Sequence, residues 1–146
     1  MNTKLTRWIL GGVAVVAVGA IAVGALFNLQ RQTVLSQVQV YQDSIALGKN
    51  DPSNLTAIDR RSGQEIYYRV TLQNAPIDKK LSLRCDWIDP RGTLARQNRW
   101  QTQRIDREVW PTYCRYPSNN AMMTGRWQVR MFLGDRLLDD ATFTVK

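Results

Sequence analysis

The sequence predicts an all-β chain: an antiparallel sandwich of about seven strands, preceded by one transmembrane α-helix. Three observations predict it. Apolar and polar residues alternate with a period of two through most of the chain after residue 34. No helical period of comparable quality occurs there, and turn residues recur at short, regular spacing. The third is an uncharged apolar run, Trp8 to Phe27, near the start. The whole chain has 146 residues, which suits one domain with an appendage.

Residues 1–7 read as a cytoplasmic N-terminus and 8–27 as the membrane span. A helix rises about 1.5 Å per residue, so this run matches the roughly 30 Å hydrocarbon layer. It exceeds the usual apolar core of a cleaved signal, the rival reading, so a retained anchor is preferred. Lys4 and Arg7 before the run, against Arg31 alone soon after it, place the N-terminus in the cytoplasm. The remainder is then periplasmic or otherwise extracytoplasmic, on a bacterial inner membrane or an equivalent internal one. Gly12, Gly19, Ala20 and Gly24 give the helix small residues for close packing, although such residues are common in any anchor.

Residues 28–34 read as a polar linker and 35–146 as the exported sandwich domain. Val38 and Val40 open the alternation. The next strand runs from about Glu65 to Gln73, with Ile66, Tyr68, Val70 and Leu72 on one side. Leu81, Leu83, Cys85 and Trp87 share a face between Lys80 and Ile88. Asp89-Pro90-Arg91-Gly92 suits a type I turn. Thr93 to Trp100 and Glu108 to Tyr116 are weaker strands, the second confined to an edge or bulge by Pro111. Trp127, Val129, Met131 and Leu133 face inward, Gly134-Asp135 makes a hairpin turn, and Ala141, Phe143 and Val145 return.

Cys85 and Cys114 are the only cysteines. An even count in an oxidising compartment favours a structural disulfide over two buried thiols or redox chemistry. Cys85-x-Trp87, the later cysteine, and the closing Gly125-x-Trp127-x-Val129 with Phe143-x-Val145 together resemble a bacterial immunoglobulin-like sandwich over about residues 35–146. The cysteines lie closer in sequence than the antibody-type pair that joins the two sheets. Thr112 also stands where a tyrosine corner would place tyrosine. The resemblance implies a protein-binding or spacer module.

No histidine is present, which removes imidazole catalysis, and two cysteines cannot build a Cys/His zinc site. No phosphate loop or nucleophile elbow occurs. Asp139 and Asp140 point to opposite faces of a strand, a poor carboxylate pair, and Asp86 and Asp89 read as turn caps. No catalytic residue, cofactor or metal is expected. The charge balance is 20 Lys+Arg against 12 Asp+Glu, a net +8. Arg91, Arg96, Arg99, Arg104 and Arg107 crowd one stretch with Trp100 and Trp110. Arginine with tryptophan suits a protein or lipid surface, against the plainer reading of a solvated strand face. Export argues against nucleic acid. The expected function is a non-catalytic interaction or accessory subunit of a membrane or envelope complex, in contact with the bilayer and a protein partner. The alternative is a membrane-anchored small-molecule or glycan-binding module.

Overall fold

The computed structural model describes residues 22–146, in two units. In the first unit, residues 22–36 form a helix, α1. Its second half runs through Asn28, Gln30, Arg31, Gln32 and Thr33, so the expected linker 28–34 is helical instead. Glutamine, arginine and leucine are good helix formers, and polarity alone does not stop a helix. Thr33 Oγ1 donates to the Leu29 carbonyl at 2.9 Å within it.

No helix among the described residues is long and apolar enough to cross a membrane. This corrects the expected location as a single-pass protein with a cytoplasmic N-terminus and a periplasmic domain. The physical reason is the polar run above, which leaves α1 without a sufficient apolar stretch. The greater part of 8–27, with Gly12, Gly19 and Ala20, lies outside the described residues. Gly24 lies in α1 with open space where a Cβ would stand.

The second unit, Val38–Lys146, is the sandwich. Its eight strands are β1 Gln39–Ala46, β2 Ala57–Ile58, β3 Glu65–Gln73, β4 Ser82–Ile88, β5 Leu94–Gln101, β6 Trp110–Pro117, β7 Gly125–Leu133 and β8 Arg136–Val145. One sheet has the order β1-β3-β6 and the other β2-β8-β7-β4-β5. Pairing is antiparallel except β2 with β8, which is parallel, so the second sheet is mixed.

The alternation works as the sequence predicts. In β3, Ile66, Tyr68, Val70 and Leu72 are buried; in β4, Leu83, Cys85 and Trp87 are; in β7, Trp127, Val129, Met131 and Leu133 are. Trp87 packs against Tyr116 and Phe143, at ring-centre distances of 5.5 and 6.2 Å, so the aromatic residues of both sheets make the middle of the core. Cys85 on β4 and Cys114 on β6 form a disulfide with Cα atoms 6.4 Å apart. It joins the two sheets despite the short sequence separation.

Gly134, with φ of 58°, makes the two-residue turn between β7 and β8, where Leu133 pairs Arg136. Asp89 organises the β4–β5 turn: its Oδ1 accepts from Arg91 N at 2.9 Å and Thr93 N at 3.0 Å. Those N–H groups, Thr93's first, hold its carboxyl below 3.8. Asp86 does not cap this turn. It sits 3.2 Å from Arg84 Nε and accepts from Gln97 at 2.8 Å, across to β5.

Candidate functional site

β5 ends the five-stranded sheet, hydrogen-bonded to β4 alone. Directly opposed residues of an antiparallel pair point to the same side. Trp87 faces Arg96, Cys85 faces Asn98, and Leu83 faces Trp100, so these three β5 side chains are on the inward side. Arg84 faces Arg99, which puts Arg99 on the outer side. Arg96 and Arg99 are nonetheless both exposed, since the edge position leaves each open to solvent. Asn98 turns inward to accept a hydrogen bond from the Trp87 indole N–H at 2.8 Å.

The seven expected contact residues divide into three groups. Arg91 and Arg107 are neutralised locally, 3.1 Å from Asp89 and 2.9 Å from Asp106. The Arg107 contact lowers the Asp106 carboxyl below its usual range. Arg96, Arg99 and Arg104 have no ion pair among the described residues. Arg99 Nε donates to Gln97 Oε1 at 2.7 Å, and Arg104 reaches the Asp78 carbonyl at 3.5 Å. Trp100 and Trp110 both line an open groove of about 870 Å³ that continues past Thr112 and Tyr113 toward Asn50 and Gln42.

Two features escaped sequence reasoning. Arg69 on β3 pins the loop after β1, donating to the carbonyls of Asp51 and Ser53 and to Ser44 Oγ, the last two at 2.9 Å. Its only sequence signal is an arginine at an outward strand position. The other is an acidic contact. Tyr68 OH donates to Asp139 Oδ2 at 2.9 Å, and Asp43 on β1 lies beside Asp139. Burial, and then the Asp139 charge, raises the Asp43 carboxyl above 3.8; burial likewise pushes the Tyr68 phenol up. Among the described residues no group of three or more His, Cys, Asp or Glu is placed to hold a metal ion.

What this arrangement offers chemically is a set of guanidinium forks on an open strand edge, suited to carboxylate partners. No family model matches the sequence, and no curated protein matches it. Among solved structures, an immunoglobulin-like protein from Pseudomonas aeruginosa is similar with a TM-score of 0.54 and 16% identity, covering 75% of this chain and 97% of that one. An alkylpurine DNA glycosylase from Pseudomonas fluorescens, AlkC, bound to DNA containing an abasic site analogue, is similar with a TM-score of 0.52 and 16% identity. There the match covers 75% of this chain, which spans about 30% of the glycosylase. The chain therefore has an immunoglobulin-like β-sandwich fold. Likeness at this identity carries the fold alone.

Proposed function

We propose that the sandwich is a non-catalytic interaction module, an accessory subunit that takes a protein partner at its β5 edge. The observation that carries this reading is the set of exposed arginines without an ion pair among the described residues, Arg96, Arg99 and Arg104, on and just after a strand with one free side. Arginine beside half-buried tryptophan is the composition that dominates protein contacts energetically. A nucleic-acid partner fits less well. Arg96 and Arg99 diverge to opposite faces and Arg91 and Arg107 are already neutralised, whereas a phosphate backbone is met by converging cations. The Cys85–Cys114 bond is also consistent with an exported domain.

Changing Arg96, Arg99 and Arg104 together to Glu is expected to abolish co-purification of the wild-type partner with the thermal midpoint unchanged. Raising salt toward about 0.5 M is expected to weaken the wild-type interaction in the same direction, because screening acts on exposed charge pairs. Unchanged retention by the triple variant, or retention that disappears on nuclease digestion, would overturn the reading. A second reading, a small-molecule or glycan-binding module, is favoured by the groove in which Trp100 and Trp110 meet amide side chains. A soluble ligand that raises the melting temperature distinguishes it.

A further inference from the structure

The sandwich has four strand edges, and they are not equivalent. β2 is two residues long. β1 is interrupted by a bulge at Tyr41, between Val40 and Gln42. β6 carries Pro111 and Pro117, which offer no N–H. β5 is eight residues long, contains no proline, and is in unbroken register with β4 from Arg96 to Gln101.

The phase of the β4–β5 ladder fixes which β5 groups are unused. Thr102 N donates to the Leu81 carbonyl at 2.9 Å, which makes that pair hydrogen-bonded. Bonded and non-bonded pairs alternate along an antiparallel ladder. Trp100, Asn98 and Arg96 therefore turn their backbone groups toward β4, while Gln101, Arg99 and Gln97 turn theirs away. No further backbone hydrogen bond engages those three residues among the described residues. Three N–H and three C=O groups thus stand in a row along one edge, spaced as a strand presents them.

We propose that the partner binds by adding a strand to β5, and that its docking segment is an extended acidic peptide. This rests on the interaction reading above and specifies its mode. Main-chain hydrogen bonds would supply the affinity, and side chains facing Arg96 and Arg99 the selectivity. Those arginines are three positions apart and on opposite faces, so the matching segment carries acids three apart, Glu-x-x-Glu. An apolar residue, opposite Trp100, immediately precedes the acid that faces Arg99. A second copy of β5 is disfavoured as the occupant, because two such strands crowd four arginines onto one short ladder.

The test uses the full chain and the synthetic peptide acetyl-Thr-Val-Glu-Thr-Thr-Glu-Thr-amide, which runs antiparallel to β5 with Val opposite Trp100. At about 1 mM peptide, near the weak end of specific binding, amide exchange is expected to slow at Gln97, Arg99 and Gln101. Lysine in place of both glutamates is expected to remove binding. Gln97→Pro deletes one outward donor and spares the β4 backbone ladder, but it also removes the side-chain bonds of Gln97 to Asp86 and Arg99. Measured against Gln97→Ala, which loses the same side-chain bonds, it is expected to weaken binding about tenfold. Should that variant not fold, the peptide N-methylated at its third and fifth residues removes two bonds of the same ladder, those its own N–H groups donate to the Arg99 and Gln97 carbonyls, and is expected to weaken binding at least as much.

Absence of binding, protection mapped elsewhere, or equal binding by the N-methylated peptide would overturn the proposal. So would a concentration-dependent dimer of the chain that Gln97→Pro dissolves, which makes a second copy the occupant. If strand addition fails while the triple Glu variant still loses its partner, the interaction module stands and only its mode is wrong.

Discussion

Asp43 reaches the inner side of the sandwich because Tyr41 is bulged out of β1. Before the bulge Val40 faces Leu72; after it Asp43 faces Val70 and Ile45 faces Tyr68, so inward positions change from even to odd numbers. The carboxyl then lies by Asp139, which the Tyr68 hydroxyl also holds. Because the folded state raises its pKa above 3.8, Asp43 contributes stability that is fully present below that value and is lost as pH rises through the raised one. Asp43→Asn keeps the shape and removes the charge. It is expected to raise the melting temperature at neutral pH by roughly 2–5 °C and to leave it nearly unchanged below pH 3.8, as a pH series of thermal melts would show. The separation of Asp139 from Asp140 was legible in the sequence, since neighbours in a strand diverge. The true partner of Asp139 was not, because a single bulged residue changes the parity of everything after it.

Strands differ in legibility for physical reasons. β3 was readable to its ends because every second residue from Ile66 to Leu72 is buried and each intervening one is polar or amphipathic. β5 was only faintly readable: as an edge strand it is exposed on nearly every residue, so burial imposes little alternation on it. β2 left no signal, since two residues cannot show a period. It exists through tertiary bonds, Thr144 N to the Thr56 carbonyl and Lys146 N to the Ile58 carbonyl, both 2.9 Å. The arginine stretch illustrates the converse. Crowding in sequence is not crowding in space, and a period of two already implies that Arg96 and Arg99 part to opposite faces. What sequence could not supply was the neutralisation of Arg91 and Arg107 by acids in their own turns, or the groove that Trp100 and Trp110 both line.

At the scale of the molecule, two sheets are held face to face by an aromatic core and one covalent bond. The Cys85–Cys114 pairing was anticipated from an even cysteine count, and its crossing between sheets follows from β4 and β6 lying in different layers. Cys85→Ala is expected to cost about 2–5 kcal/mol in urea denaturation, the usual loss for a small disulfide-bonded domain. The fold was therefore largely legible, while the location read from residues 8–27 was not upheld: no helix among the described residues is long and apolar enough to cross a membrane, and α1 turns polar after Phe27. The central claim is that the free β5 edge is where the partner sits. Its most direct test places a photo-crosslinking side chain at Gln97, on that edge, and separately at Thr144, exposed on β8 in the same sheet. The account predicts one discrete partner adduct from Gln97, lost in the Arg96, Arg99 and Arg104 to Glu background, and none from Thr144. An adduct from Thr144 alone, or none from Gln97, would contradict it.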